Sequence, residues 1–223
     1  MVQYSRVLLR ATTAVLLFAA CAATTTTTAS AQAEWELRHR LDDMATYTRD
    51  RAGSEIKEVK LVMTVDADIA AINAVLDDAP RQTEWVYKCS AARDLGGRVD
   101  TGWYYYSRID MPWPLEDRDL VARVTGGVDG DTYSSVSTAA PDRIARADDA
   151  VRITDFDVRT SYRELGGGRT EVTYVLHSEP GGRVPAWLVN LFVDRGPVET
   201  MTRLRELVEG PRSRTQTAAT GPR

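Results

Sequence analysis

Histidine is scarce, with only His39 and His177 in 223 residues. No His–Cys or His–Asp ligand spacing surrounds either one, so no metal is expected. Both read as surface residues, His177 closing a strand on its outward side. Cysteine is as rare, with Cys21 and Cys89 alone. That excludes a disulfide-stapled scaffold and leaves the core to hold the domain together. Basic blocks are missing and the formal net charge is −4, so nucleic acid is not an expected partner. The apolar runs are too short for a helix that must cross ~30 Å of hydrocarbon at about 1.5 Å per residue. Gly166-Gly167-Gly168 is followed by Arg169, without the Lys-Ser/Thr and the helix start of a phosphate loop. No cofactor is expected.

What the chain does have begins with a leader. Arg6 and Arg10 precede the short apolar run Ala14–Ala23, and a threonine tract leads to Ala29-Ser30-Ala31. This is the positive, apolar and small-residue order of a secretory signal. Residues 1–31 are therefore expected to be cleaved, and the protein is expected to be exported to the periplasm. Phe18-Ala19-Ala20-Cys21 also resembles a lipobox, which would make the protein an envelope lipoprotein anchored through Cys21. Residues 210–223, rich in Thr, Ala, Gly, Pro and Arg, read as a disordered tail. Between them lies one domain, residues 32–209.

Alternation of apolar and polar residues marks a strand over Lys57–Val65, with Val59, Leu61, Met63 and Val65 on one face. Asp66 and Asp68 precede Ile69, Ile72, Val75 and Leu76, whose spacing predicts a short helix ended near Pro80. Further strands are expected at Glu84–Ala91, Gly102–Ile109, Arg118–Val124, Thr132–Thr138, Val151–Glu164 and Thr170–His177. Short glycine-rich connections favour antiparallel hairpins. A last helix starts at Pro185 after Gly181-Gly182, with a kink or break at Gly196-Pro197. Leu188, Leu191, Phe192, Met201 and Leu204 share its apolar stripe. The plan is an α+β fold, a curved antiparallel sheet with a long C-terminal helix across it.

Four segments carry a resemblance. They are Tyr47-Thr48-Arg49 with Gly53-Ser54 and the strand at Lys57; Trp85 after the first helix; Pro112-Trp113-Pro114-Leu115-Glu116-Asp117-Arg118-Asp119-Leu120-Val121; and Gly181–Asn190 leading into the final helix. In this order they resemble the START (StAR-related lipid transfer) domain, a helix-grip fold within the Bet v 1-like superfamily, here as an exported bacterial member. The resemblance implies a sheet gripping the last helix around a hydrophobic tunnel that holds one lipid. It implies binding and carriage of a lipid or sterol-like molecule rather than catalysis, with transient membrane contact. The protein is expected to be a monomer.

Strand alternation then assigns the tunnel wall. Trp85 and Tyr87, then Trp103, Tyr105 and Ser107, then Leu120, Ala122 and Val124 are expected to face inward. Val172, Tyr174 and Leu176 join them from the last strand, and Leu188, Leu191, Phe192 and Met201 from the helix. Val121, Arg123, Tyr104, Tyr106 and Arg108 are expected outside. Some cholesterol-binding family members carry an acid and an arginine where this chain has Tyr105 and Val124, which speaks against that binding mode. Cys89 reads as a small buried residue, and Asp117, Arg118 and Asp119 as structural pairs at a strand start. Two other readings stay open. One is a cyclase or aromatase of the same superfamily, which would need acids or bases in the tunnel. The other is an adaptor that meets a partner protein when loaded. A gate is expected between Asp110–Asp117 and Gly196-Pro197.

Overall fold

In the computed structural model, residues 33–41, 43–97, 102–129 and 132–217 are described, with backbone only for 129 and 211–217. The expected leader, residues 1–31, and the end of the expected tail, residues 218–223, lie outside the described residues.

Where alternation is clean, the strands follow it. In β3 (Glu58–Val65), Val59, Leu61, Met63 and Val65 are all buried while Lys60, Val62 and Thr64 are half-exposed. The Asp68 side chain caps α1 (Ile69–Leu76), accepting from the Ala71 N–H at 2.7 Å, which satisfies a donor that the helix itself cannot. The other strands are β1 (Glu36–Leu41), β2 (Met44–Arg49), β4 (Cys89–Asp94), β5 (Trp103–Ile109), β6 (Asp117–Asp129), β7 (Thr132–Ala139), β8 (Ala150–Arg152), β9 (Phe156–Gly166) and β10 (Arg169–Ser178). The helices after α1 are α2 (Gln82–Trp85), α3 (Ala186–Leu191) and α4 (Arg195–Thr217), the last interrupted by the non-helical Gly210.

Among the described residues the strands form one ten-stranded sheet in the order β1-β2-β3-β10-β9-β7-β6-β5-β4, with β8 paired to β6. Every pairing is antiparallel except β6 with β8. The chain leaves the sheet after β3 through α1 and α2, and it closes with α3 and α4. Met201 and Leu204 of α4 pack with Leu61, Met63, Trp85, Tyr162 and Val172 in one core cluster. A second cluster, Ala79, Trp103, Tyr105, Leu120, Ala122 and Ile153, occupies the other half of the sheet. The expected α+β architecture, a curved antiparallel sheet with a C-terminal helix, is the one observed.

Several local expectations need correction. Glu84–Ala91 is not one strand. Pro80 opens a 3-10 turn at Ala79–Arg81 that runs into α2, where Arg81 and Glu84 form an i,i+3 ion pair of 3.1 Å, and the strand starts only at Cys89. Val151–Glu164 splits, because Ile153 donates to the Asp119 carbonyl at 2.8 Å, holding the first part on β6 while β9 goes to β7 and β10. The final helix is two helices. Its break lies at Phe192–Asp194, and Pro197 sits in the first turn of α4, where a missing N–H costs nothing. The hairpin of β1 and β2 was not anticipated at all.

Two residues expected outside are buried. Val121 does oppose Leu120 across the sheet, but it is covered by the segment between β7 and β8. That segment is held by Ala140 donating to the Val121 carbonyl and by Arg152, whose guanidinium bonds Asp119 and the carbonyls of Pro141, Ile144 and Ala145. His177 is 1% exposed, under the loop that carries Arg51 and Ser54. His39 remains half-exposed and meets the buried carboxylate of Asp194 at the α3–α4 junction.

Candidate functional site

The sheet and the helices do not fill the space between them. An inner chamber of about 300 Å³ lies between the sheet and α4. An outer chamber of about 580 Å³ lies between the α3–α4 region, the segment before β6 and the ends of β3 and β10. They share walls at Tyr87, Ile109, Ile153, Leu176, Ser178 and Gly196-Pro197, so one adjoins the other.

Trp103, Tyr105 and Ser107 of β5, Leu120 and Val124 of β6, and Tyr174 and Leu176 of β10 all line the inner chamber. Trp85, Tyr87 and Met201 line it from the helical side. Leu188 and Phe192 line the outer chamber. Ala122 and Val172 are fully buried but belong to the packed clusters rather than to a chamber wall. Leu191 borders neither chamber and is 56% exposed, so the expectation that it faces inward is corrected: the outer chamber takes its neighbours Leu188 and Phe192 instead.

Sequence reasoning missed the wall contributed by β7 and β9, namely Ser135, Ser137, Val158, Thr160 and Tyr162. The alternating serines of β7 carry no apolar signal, although their spacing of two puts Ser135 and Ser137 on one face of the strand. Three phenols sit here. Burial pushes Tyr105, Tyr162 and Tyr174 above the ordinary tyrosine range, so they stay protonated at neutral pH. Ser137 is within bonding reach of Tyr105, and Thr160 and Ser135 of Tyr162. The buried indole N–H of Trp85 has no partner among the described residues. No charged side chain is among the described residues lining the inner chamber.

The charge cluster at the start of β6 is bonded to its own surroundings. Asp117 accepts from Arg108 at 2.8 Å and from the Met111 N–H at 3.1 Å. Arg118 donates to the carbonyls of Glu116, Pro180 and Gly181. Gly181 and Gly182 both have positive φ, and a Cβ on Gly182 would lie 3.1 Å from the Arg118 guanidinium, so glycine is what lets the backbone come this close. Cys89 is buried, and that burial pushes its thiol up, the opposite of what a nucleophile needs. Among the described residues no cluster of His, Cys, Asp and Glu could hold a metal.

The START domain family model matches residues 16–214. The chain belongs to the START-domain family. A START relative of known structure, a STAR-related lipid transfer protein fragment from Xanthomonas axonopodis, is 28% identical with a TM-score of 0.73, covering 79% of this chain and 99% of that one. Human STARD10 shares the START fold at a TM-score of 0.69 and 18% identity, covering 83% of this chain and 77% of that one. An uncharacterized protein of Pseudomonas aeruginosa is 33% identical over 177 residues, which is 79% of this chain and 87% of that protein.

Proposed function

We propose that this START domain binds a lipid or similar hydrophobic molecule in its two chambers and carries or buffers it outside the cytoplasm. The observation that carries the reading is the inner chamber, lined among the described residues mainly by aromatic, aliphatic and hydroxyl side chains and by no charged one, and adjoining the outer chamber. The likeness to a protein described as a lipid transfer protein supports it. Burying each methylene contributes about 0.8 kcal/mol, so enclosing ~10–12 contributes roughly 8–10 kcal/mol before the costs of association. After those costs the affinity is on the order of micromolar or weaker, which suits a carrier that must release its cargo. A cyclase would need an acid or base aimed at the substrate, and the protonated phenols are poor candidates for a base.

Loading takes place at a membrane. Trp113, 93% exposed, stands on the segment before β6, and Trp187 and Phe192, 69% and 55% exposed, on and just after α3. Both segments border the outer chamber, through Pro112 and Leu115 on one side and Leu188 and Phe192 on the other. Tryptophans of this kind settle at the lipid headgroup level. The protein acts as a monomer in the periplasm, or at the envelope if Cys21 is lipidated. Native mass spectrometry of the protein purified from its own envelope fraction tests the reading. A stoichiometric adduct of lipid mass is expected. A mass that stays unliganded after exposure to fatty acids, phospholipids and sterols would overturn it.

A further inference from the structure

The two chambers differ in charge. Among the described residues, four cationic ones, Lys57, Lys88, Arg118 and Arg195, line the outer chamber and no acidic one does. The chain as a whole has more acids than bases, 32 against 28, so this bias is local. Lys57 is answered by Asp50 at 3.1 Å. The other three are not ion-paired among the described residues.

Arg118 is the deepest of them, only 3% exposed. Its three hydrogen bonds all go to neutral carbonyls, of Glu116, Pro180 and Gly181. A guanidinium has five N–H donors, so part of its capacity is unused. Glu116 and Asp117 act on it only from a distance, and Asp117 is already held by Arg108. A buried cation without a carboxylate is costly, and a well-placed anion beside it offsets part of that cost. Lys88 and Arg195 stand at the rim, both near the Tyr87 ring, at 5.7 and 5.9 Å from its centre. Lys88 has φ 56 and, among the described residues, is the only non-glycine with positive φ. Such a conformation is unfavourable for a side chain and concentrates at ligand clamps. It lies one residue before β4, at a position that borders the chamber.

We infer that the cargo is an anionic amphiphile, with its apolar part in the inner chamber and its carboxylate or phosphate in the outer chamber against Arg118, Lys88 and Arg195. This rests on the carrier reading and narrows it. A neutral sterol would leave the three cations without use. An anionic amphiphile satisfies both chambers at once, since charge-assisted bonds form at the mouth while the apolar wall takes the chain.

The test compares ligands that differ only in charge. The lipid-free protein is titrated in solution, without vesicles, with oleate and with methyl oleate. Oleate is expected to bind at least about tenfold more tightly, a difference of about 1.4 kcal/mol. In the double variant Lys88→Gln/Arg195→Gln, both changes being at exposed positions, oleate affinity is expected to fall toward that of the ester. Native mass spectrometry with phosphatidylglycerol and phosphatidylcholine of the same chains identifies the source of the anion. Preference for phosphatidylglycerol points to a phosphate headgroup, and preference for oleate alone points to a fatty carboxylate. Equal binding of oleate and its ester, with no preference between the two phospholipids, overturns the inference and leaves the carrier reading standing. No binding of any of the four overturns the inference, and a failure of cholesterol to bind as well overturns the carrier reading with it.

Discussion

Asp119 and Arg152 face each other across β6 and β8 as a fully buried pair, joined by two hydrogen bonds of 2.9 Å. The remaining donors of Arg152 go to the carbonyls of Pro141, Ile144 and Ala145, so one side chain fastens a long irregular segment to the back of the sheet. Asp119→Ala leaves that guanidinium buried without its carboxylate. A loss of about 3–5 kcal/mol in unfolding free energy is expected, read from urea denaturation. A loss within the range of an exposed pair, under about 1 kcal/mol, would show that the segment is held by other means.

Filling the inner chamber should separate binding from folding. Val124 lines it from β6, and Val124→Trp places an indole where cargo would lie. Overpacking a solid core costs about 1–3 kcal/mol, but here the void absorbs much of the added volume. A small change in Tm together with at least a tenfold loss of lipid uptake is expected. Undiminished uptake would place the cargo elsewhere.

Much of this wall was legible beforehand, because β5 and β10 alternate cleanly and Trp103, Tyr105, Ser107, Tyr174 and Leu176 fall in phase. β7 was not, since Ser135 and Ser137 look like a solvated face when the void behind them is unseen. Val121 and His177 were misjudged for a different reason. Alternation states which side of a sheet a residue is on, but not whether irregular chain covers that side. The split at Ile153 and the short α2 were hidden too, because both depend on where the chain turns rather than on the period of its apolar residues.

His177 gives a pH dependence. Its side chain is buried, and burial together with Arg51 from the β2–β3 loop holds its pKa below the ordinary value. Glu58 of β3, Asp155 before β9 and Glu179 after β10 oppose that shift without overcoming it. Both ring nitrogens and one Arg51 nitrogen lack a hydrogen-bond partner among the described residues. The folded state therefore binds this proton less readily than the unfolded chain, whose histidine titrates near about 6.5. Stability should be full above that pH and fall as pH drops through it. His177→Gln should flatten the pH profile of Tm between roughly pH 7 and 5. An unchanged slope would assign the dependence to other groups.

Exchange should depend on relative motion of the chamber's borders. Leu115 and Val193 border the outer chamber from the segment before β6 and from the α3–α4 junction. With Cys21 and Cys89 replaced by Ala, Leu115→Cys and Val193→Cys joined by a short bismaleimide should slow lipid exchange at least about tenfold, the reduction expected if a μs–ms opening is blocked. Exchange at the uncrosslinked rate would mean that cargo leaves by another route.

Membrane contact can be tested apart from binding. Trp113→Ala removes an aromatic side chain that is almost wholly in solvent, so folding should be untouched. Vesicle co-flotation should fall several-fold, on the order of the loss of a ~1 kcal/mol interfacial anchor. Binding of oleate in solution should be unaffected, and a parallel loss of both would make Trp113 part of the pocket instead.

Arg118 has a mechanical meaning as well as an electrostatic one. By gripping Glu116 on one side and Pro180 and Gly181 on the other, it rivets the tryptophan-bearing segment to the run of chain that leads into α3. Those two borders of the mouth form a fixed jamb. The stretch beyond α3 is tied down elsewhere, where Phe192–Asp194 separates one helix from the next and Asp194 is latched to β1 through Arg38 and His39.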